Sequence, residues 1–312
     1  MVSERENLKP ASKDKQAVAK FCAGDFMPTE ERCAEVLKEM RWKMGVRCPR
    51  CHSKRVKRHG KCRKYYDRYL CRECGRTFND LTGTVFEGAK IEVREFVYAA
   101  KRLLERESMN QTSKELGRCF RTVMRVRDLM SDVLAKKLVK KLEDEVEVDE
   151  TYVSAGQKGT KCTHREPRKR GLKRRGRGTY DKDKPPIVAL VQRGGAVILR
   201  VPKKLGRSFI RKLLNECVKK GSNVYTDDFP MYRDLDGYRH RRVNHSGGEY
   251  VKGKVHTNTA EGIFSMVKSW LRGYRGVRKD RLWRLLKILE FRFNLRDLNP
   301  FDRLSTLFGF LL

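Results

Sequence analysis

Two closely spaced pairs of cysteines constrain the fold of this chain more than any other feature. Cys48 and Cys51 form one Cys-x-x-Cys pair, and Cys71 and Cys74 form a second pair after an interval of 19 residues. Each pair offers two sulfurs from a tight turn, and four thiolates complete the tetrahedral shell of a structural Zn²⁺ ion. Strand-forming residues occupy the interval, so a zinc ribbon is predicted at residues 46–80.

The cysteines have other interpretations besides a zinc site. A redox Cys-x-x-Cys or a chance pairing is the main alternative, and Cys62 lies between the pairs as a further sulfur. Two complete pairs make Cys62 unnecessary as a ligand, and His52 and His59 are expected at the surface. The ten cysteines do not follow a disulfide framework. The many Arg and Lys residues of the ribbon favour contact with phosphate, although zinc ribbons also bind proteins.

The charge balance of the chain indicates a polyanionic partner. The 312 residues contain 73 Lys and Arg against 39 Asp and Glu, a formal net charge of +34. Such an excess favours binding to nucleic acid or to an anionic membrane surface. No run approaches the roughly 18 consecutive apolar residues of a membrane-spanning helix, and no signal peptide opens the sequence. Nucleic acid is therefore the favoured partner, and no membrane association is predicted.

Changes in composition and periodicity divide the chain into four segments. Residues 1–45 combine a polar, Lys-rich arm with a short helix that has an acidic first turn. The zinc ribbon at 46–80 and a helical module at 88–142 follow. From Glu145 onward the apolar residues alternate, which predicts the strands of an α/β domain at residues 145–300.

The last segment is also predicted to contain a basic insertion and a final helix. Residues 154–184 contain the stretch "REPRKRGLKRRGRG", whose dense positive charge and glycines indicate a basic insertion between two strands. The segment "DRLWRLLKILEFRFNLRD" has helical periodicity and is predicted to be the final helix of the chain.

The helical module contains a pattern typical of a helix-turn-helix. In "ESMNQTSKELGRCFRTVMRVRDLM" a first helix is predicted at Gln111–Leu116, a turn at Gly117 and a recognition helix at Phe120–Met130. Such a recognition helix places basic side chains in the major groove of DNA. A helical hairpin packed on its neighbours is the alternative. The candidate DNA contacts are Arg121, Arg125 and Arg127.

Acidic residues at the ends of predicted strands indicate a second kind of metal site. Asp149 ends the segment "VEVD", and Asp227 ends "NVYTD". Mg²⁺ and similar hard cations bind a few carboxylates together with phosphate and water oxygens. Two such ions about 4 Å apart support phosphodiester chemistry by stabilising the attacking and leaving oxygens. A third acid must come from elsewhere in the chain, and Glu261 is the natural candidate.

Each of these acids has a rival interpretation. Asp149 could instead cap a turn, with its neighbour Glu150 as the ligand. Asp227 and Asp228 are adjacent, and because a strand alternates its sides only one of them can face the site. Asn258 followed three residues later by Glu261 nearly matches a capping box, which would make both residues structural.

The helix that carries Glu261 is amphipathic. Its predicted apolar side holds Ile263, Met266, Val267, Trp270 and Leu271, and its polar side holds Asn258, Glu261, Ser265 and Lys268. Lys268 lies about 20° from Glu261 around the helix and roughly 10 Å along its axis, too far for a direct ion pair.

Together these segments resemble one known family. "VEVDETYV", "VYTDDFPMY", "RRVNHSGGEYVKGKVHTNTAEGIFSMVKSWLRGYRGV" and "LEFRFNLR" are similar to the catalytic region of certain insertion-sequence DDE transposases. These carry an N-terminal zinc ribbon, a helix-turn-helix and an ISXO2-like catalytic domain, and have relatives in the eukaryotic Merlin elements. The resemblance runs from Arg47 to Arg296. The chain departs from it in the long insertion at 154–184 and in reading "SWLRGYRGVRKDRL" after Lys268.

The resemblance implies a fold and a set of site residues. The expected fold class is α/β, with an RNase H-like mixed-sheet catalytic domain preceded by a zinc ribbon and a helix-turn-helix module. Asp149, Asp227 and Glu261 are the implied catalytic acids and ligands of Mg²⁺ or Mn²⁺. Asn258 is a rival for the third position, because some members are described with Asn there. Lys268 is expected to hold a DNA phosphate.

The activity implied by the resemblance is DNA transposition. The chain is expected to bind terminal inverted repeats, cleave the element ends and join the freed 3′-hydroxyl to target DNA by two-metal-ion phosphodiester transfer. Its implied partner is double-stranded DNA, at element ends and target, with a homodimer or higher oligomer on DNA. The implied location is cytoplasmic and nucleoid-associated, or nuclear in a eukaryotic host.

Two other functions remain as alternatives. One is a catalytically inactive, transposase-derived DNA-binding protein, against which the presence of all three acids argues. The other is a zinc-ribbon RNA-binding factor, which would leave the acids at the strand ends unexplained.

Overall fold

The chain folds into two compact units. A computed structural model describes residues 27–138, 141–156, 177–243, 256–274 and 276–312. One unit comprises Met1–Val133 with Leu295–Leu312, and the other comprises Leu134–Asn294. The predicted polar arm and most of the predicted basic insertion lie outside the described residues. Among the described residues, no helix is long and apolar enough to cross a membrane.

The secondary structure follows the predicted order of zinc ribbon, helices and mixed sheet. The described helices and strands are, in chain order, α1 (Glu30–Arg41), β1 (Val56–Cys62), β2 (Tyr66–Cys71), β3 (Thr77–Asn79), α2 (Val93–Leu104), α3 (Met109–Glu115), α4 (Phe120–Lys137), β4 (Glu145–Tyr152), β5 (Pro186–Gln192), β6 (Val197–Arg200), α5 (Arg207–Cys217), β7 (Asn223–Asp227), β8 (Arg239–Val243), α6 (Asn258–Arg272), α7 (Leu282–Asn294) and α8 (Pro300–Leu311).

The first unit contains a small antiparallel sheet in the order β1-β2-β3. Its apolar core is built around three rings, with Tyr69 stacked on Phe78 at 5.2 Å and Trp42 packed edge-on against both. Trp42 also donates a hydrogen bond from Nε1 to Asp80 Oδ1, 2.8 Å away. A sheet this small needs such a cluster beside the metal site, because three short strands bury little apolar surface by themselves.

A further helix, α8, follows the helix predicted to be the last. Its start is fixed by Asn299, whose side-chain oxygen accepts a hydrogen bond from Asp302 N, and by Pro300 at the first helical position. Phe308 of α8 stacks on Phe86 within the first unit. The prediction that α7 is the final helix was wrong, although the Asn-Pro start signal is present in the sequence.

The second unit is built on a five-stranded mixed sheet in the order β6-β5-β4-β7-β8. β5 is antiparallel to both β4 and β6, whereas β4, β7 and β8 run parallel. The predicted tight turn between β5 and β6 is present, with Gly194 at a φ of +63° and Gly195 N bonded to Gln192 O. This strand order and these directions are those of the RNase H-like fold, so the expected α/β fold class is confirmed.

Helices cover both faces of this sheet. On one face, α5 packs Ile210, Leu213 and Leu214 against Val146 and Val148 of β4. On the other face, α6 packs on β4 and β5, and α7 packs on β6. Because side chains alternate along a strand, Glu147 and Asp149 lie on the α6 side of β4.

Candidate functional site

Four cysteine sulfurs of the first unit converge on one point. The ligand atoms of Cys48, Cys51, Cys71 and Cys74 all lie within 4.8 Å of one another. The Sγ–Sγ distances are 3.6 Å between Cys48 and Cys74 and 3.5 Å between Cys51 and Cys71. A tetrahedral zinc ion with Zn–S bonds of about 2.3 Å separates its ligands by roughly 3.8 Å. The cluster therefore has the donor chemistry and the size of a structural zinc site.

Two similar backbone turns present these sulfurs. In each turn the residue after the second cysteine has a positive φ, +59° at His52 and +68° at Gly75. Its N–H donates to the carbonyl of the first cysteine, His52 to Cys48 and Gly75 to Cys71. Cys62 lies at the end of β1, outside the four-sulfur cluster.

The three helices α2, α3 and α4 contain the predicted helix-turn-helix. Gly117, the predicted turn residue, has a φ of +59° between α3 and α4. Arg102 makes a two-pronged ion pair with Glu115, which also accepts a hydrogen bond from Tyr98. Arg118 bonds in the same two-pronged way to Glu95 of α2. These pairs fix the angle between the helices by geometry as well as by charge.

The arginines of α4 do not all face the solvent. Arg121 and Arg125 are exposed, whereas Arg127 is only 5% exposed. The Arg127 guanidinium donates to Asp128 Oδ1 and approaches the Met109 sulfur. The prediction of Arg127 as a DNA contact is therefore corrected, because its side chain is enclosed within the first unit. A helical repeat of 3.6 residues placed it on the inner side with Val123 and Val126.

In the second unit, strand register brings Asp149 and Asp227 together. β4 and β7 are parallel, and Glu147 pairs with Tyr225. Two residues further along each strand come Asp149 and Asp227, on the same face of the sheet. Asp228 lies beyond the end of β7. Asp227 Oδ1 accepts a hydrogen bond from Phe229 N, which holds the carboxylate at the strand end.

The acids at this edge influence one another electrostatically. The pKa of Asp149 is raised from 3.8 to about 8, chiefly by burial and further by the charges of Glu150, Asp227 and Glu261. A hydrogen bond from Glu150 N to Asp149 Oδ1 opposes this rise. Since such effects weaken with distance, Asp227 and Glu261 lie in the neighbourhood of Asp149, and these three residues are termed the acidic cluster. Among the described residues, only the four cysteines form a group of three or more potential ligands within 4.8 Å of one another. Carboxylate oxygens are the donors that Mg²⁺ and Mn²⁺ prefer, and a bound cation would relieve the repulsion among the acids.

Glu150 differs from Asp149 in its surroundings. It lies on the opposite side of β4, where the buried Tyr232 donates a hydrogen bond to Glu150 Oε2 at 2.5 Å. Arg177 Nε lies 3.9 Å from Glu150 Oε1, and the Arg177 guanidinium stacks 3.6 Å above the Phe229 ring. Burial raises the pKa of Glu150, whereas Tyr232 and Arg177 lower it. Neither Tyr232 nor Arg177 was predicted from the sequence, because their spacing from Glu150 follows no pattern.

The helix α6 begins one residue earlier than a capping box would require. Thr257 is the N-cap, Asn258 is the first helical residue, and Glu261 N bonds to Thr257 O. The interpretation of Asn258 and Glu261 as a capping box is therefore wrong. The predicted two-sided character of the helix is present. Its buried residues are Ala260, Ile263, Phe264, Val267 and Trp270, and its exposed ones include Asn258, Glu261, Ser265 and Lys268.

Comparison with known proteins identifies the family. Residues 141–294 match the family model of the ISXO2-like transposase domain. An uncharacterised protein of the transposable element ISH50 from Halobacterium salinarum is 41% identical over 272 residues, covering 85% of this chain and 90% of that protein. The chain belongs to the ISXO2-like transposase family. The resemblance stated from the sequence is thereby confirmed.

Further comparisons match parts of the chain and a solved structure. Residues 28–77 match the model of the transposase zinc-ribbon domain. The insertion element iso-IS1N protein InsA of Shigella dysenteriae is 43% identical over 54 residues, 17% of this family member and 58% of that protein. Among solved structures, the Mos1 transposase paired-end complex with left transposon end is 12% identical, with a TM-score of 0.24, covering 63% of this chain and 76% of that chain.

Proposed function

We propose that this family member is an active DDE-type DNA transposase that cleaves the ends of its element and joins them to target DNA. The observation that carries the proposal is the strand register that places Asp149 and Asp227 side by side, with the charge of Glu261 also acting on Asp149. The charges of Asp227 and Glu261 both raise the pKa of Asp149, although the three residues come from three different elements. Carboxylates that raise one another's pKa destabilise the folded state, and such groups are concentrated at functional sites.

The three acids are assigned as ligands of two catalytic Mg²⁺ or Mn²⁺ ions. Bound there, the ions supply Lewis acidity at the attacking and leaving oxygens of a phosphodiester. Asp149 is preferred over Glu150, because Glu150 faces the other side of β4 and is engaged by Tyr232. Glu261 is preferred over Asn258 as the third position, because a carboxylate is a stronger ligand of a hard divalent cation than a neutral amide. Lys268, exposed on the same helix, is assigned to a DNA phosphate.

The chemistry needs no covalent intermediate with the protein. In the first step a water oxygen bonds to phosphorus at the element end, and the bond from phosphorus to the 3′-oxygen breaks. In the second step the freed 3′-hydroxyl oxygen attacks a target phosphorus and displaces the 3′-oxygen of the target strand. The three acids would hold the metal ions, and fixing the reacting groups in line lowers a barrier of this kind by on the order of 7–11 kcal/mol at best.

DNA recognition is assigned to the N-terminal segments. The zinc ribbon at 46–80 and the helix-turn-helix at 88–142 would bind the terminal inverted repeats, with Arg121 and Arg125 exposed on α4. The net charge of +34 supports a polyanionic partner. Residues 145–300 would form the catalytic domain. Because two ends must be joined together, a homodimer or higher oligomer on DNA is proposed, acting at the nucleoid or, in a eukaryotic host, in the nucleus.

A nicking assay tests this function. The substrate is DNA carrying the inverted repeats that flank the gene, incubated with Mn²⁺ or Mg²⁺. Wild-type protein is expected to nick it, and Asp149→Ala, Asp227→Ala and Glu261→Ala are expected to bind the DNA without nicking it. Asp228→Ala is the matched control, since Asp228 lies just beyond β7. Nicking by Asp149→Ala at the wild-type rate would contradict the proposal.

The same assay separates the alternatives. A transposase-derived DNA-binding protein without activity would shift end-containing DNA and leave it intact at every metal concentration. An RNA-binding factor would show no preference for terminal-repeat DNA over a single-stranded RNA of equal length.

A further inference from the structure

A fully buried carboxylate lies two residues before Asp149. Glu147, in the middle of β4, is 0% exposed, on the same face of the strand as Asp149. Burying an ionised carboxylate is costly unless each oxygen finds donors. The function proposed above assigns no role to Glu147. The contacts that its carboxylate makes indicate a role instead.

The partners of Glu147 lie mainly at the start of α6. Its Oε2 accepts a hydrogen bond from Ala260 N at 3.0 Å, and its Oε1 accepts one from Thr259 Oγ1 at 2.9 Å. The N-cap residue Thr257 makes no side-chain capping bond. The free amides and the positive dipole end of a helix favour a carboxylate at this place. Glu147 therefore caps α6 from a strand more than 100 positions earlier in the sequence.

A second set of contacts holds the approach to the helix. Arg193, in the turn between β5 and β6, donates from Nε to Glu147 Oε1 at 2.7 Å and from Nη2 to His256 O at 3.0 Å. His256 Nδ1 lies 3.3 Å from the same Glu147 oxygen. The Arg193 guanidinium also stacks over the Tyr225 ring at 4.4 Å. Strand β4, the β5–β6 turn and the residues preceding α6 are thus joined at one carboxylate.

This junction sets the spacing between two of the proposed metal ligands. Asp149 follows Glu147 by two residues on β4, and Glu261 follows Ala260 directly on α6. We propose that Glu147 is a positioning residue that holds Glu261 opposite Asp149 and thereby sets the affinity of the acidic cluster for divalent metal. This inference rests on the proposed function, because it needs the cluster to bind metal. Residues that orient metal ligands typically contribute about 10–100-fold to metal affinity.

The test uses the full-length, zinc-loaded protein and measures Mn²⁺ binding by calorimetry. Glu147→Gln keeps the shape of the side chain but turns one acceptor into a donor that faces the donors of Arg193 and Thr259. We expect its Mn²⁺ affinity to fall by at least about tenfold. Glu145→Gln is the matched control on the same strand face. Glu145 accepts a hydrogen bond from Tyr225 and pairs with Arg193, so Glu145→Gln disturbs contacts among the strands and the β5–β6 turn. The Mn²⁺ affinity of Glu145→Gln is expected to stay within about twofold of the wild-type value. This is well below the tenfold change that corresponds to about 1.4 kcal/mol.

A second measurement needs no metal. Amide hydrogen exchange in the first turn of α6 is expected to be faster in metal-free Glu147→Gln than in wild type, and unchanged in Glu145→Gln. Thr259→Val removes one bond to Oε1 while leaving Glu147 in place, and should lower Mn²⁺ affinity in the same direction by a smaller factor. If Glu147→Gln does not fold, Thr259→Val carries the test by itself.

The outcomes separate this inference from the proposed function. Mn²⁺ binding by wild type that is lost in Asp149→Ala, but unchanged in Glu147→Gln and Thr259→Val, would overturn the positioning role and leave the metal site intact. An absence of Mn²⁺ binding in wild type, or equal binding by Asp149→Ala, would overturn both. Weaker binding in the two variants with a wild-type response in Glu145→Gln supports the inference.

Discussion

Asp149 on β4 and Asp227 on β7 occupy the same level and the same face of two neighbouring parallel strands. The last paired residues of these strands are Glu147 and Tyr225, and each aspartate follows its strand's pair by two residues. Because the two strands are parallel and paired in this register, the two carboxylates lie side by side. This closeness has consequences for stability as well as for metal binding.

The first prediction concerns the pH dependence of metal-free stability. The folded protein holds the Asp149 proton up to about pH 8, whereas the unfolded chain releases it near its ordinary pKa of 3.8. Between these values the folded state binds more protons, so the contribution of Asp149 to the unfolding free energy falls as pH rises. Asp149→Asn does not titrate and should melt at a higher temperature than wild type, by an amount that grows from pH 4 to pH 8.

Thermal melting of the zinc-loaded protein, dialysed into buffer that contains no Mg²⁺ or Mn²⁺, checks this expectation. For a domain of this size each kcal/mol raises the melting temperature by about 2–4 °C. Asp228→Asn, one position after Asp227 and outside β7, serves as the control and should melt like wild type at both pH values. If the difference in melting temperature between Asp149→Asn and wild type is the same at pH 4 and pH 8, the predicted effect of Asp149 protonation on stability is refuted.

The second prediction concerns zinc. Cys51→Ser removes one of the four converging sulfurs and should abolish stoichiometric zinc binding and unfold the ribbon, because structural zinc contributes roughly 10–16 kcal/mol at pH 7. Cys62→Ser alters a cysteine of the same small sheet that lies outside the cluster, and should retain zinc. Elemental analysis of the purified proteins gives the zinc content directly. Equal zinc loss in both variants would show that the ligand set is assigned incorrectly.

The third prediction distinguishes two arginines of α4. Arg125 is exposed and Arg127 is buried against Asp128. Arg125→Ala should weaken DNA binding without changing the melting temperature, and should reduce the slope of log affinity against log salt by about 1. Arg127→Ala should lower the melting temperature instead, because it removes buried hydrogen bonds worth about 1.5–3 kcal/mol each. Fluorescence anisotropy over a range of salt concentrations, with melting curves on the same samples, tests both statements.

The fourth prediction concerns Arg177. Its guanidinium rests on the Phe229 ring near Glu150, beside the acidic cluster. A guanidinium in this place can donate hydrogen bonds to a DNA phosphate and offset the negative charge of the nearby acids. Arg177→Ala should raise the KM for end-containing DNA about tenfold in the nicking assay, as expected for loss of a charged hydrogen bond of about 1.5 kcal/mol. Lys182→Ala, an exposed cation of the same segment, should leave KM unchanged. A normal KM for Arg177→Ala would exclude this role.

The sequence predicted most of the elements because their signals are local. The Cys-x-x-Cys pairs, the alternation from Glu145 and the Gly-Gly turn before β6 each act within a few residues. Helix α8 has an equally local start signal at Asn299 and Pro300, so this helix was predictable from the sequence. The first and last residues of such elements depend on neighbours, as α6 shows by having Thr257 in place of Asn258 at its N-cap position.

By itself, the sequence determined the kind of chemistry available to this protein. It supplied four thiolates at zinc spacing, a large excess of positive charge and acids in two strands, although Asp149 was predicted at the end of its strand and β4 continues to Tyr152. The tertiary structure alone decided which of these groups meet. Strand alternation separated Asp149 from Glu150, the helical repeat turned Arg127 inward, and Glu147 became the cap of a helix far along the chain. The reason is physical. The pairing of buried donors and acceptors and the pKa of a carboxylate depend on distances in space, which no spacing along the chain encodes.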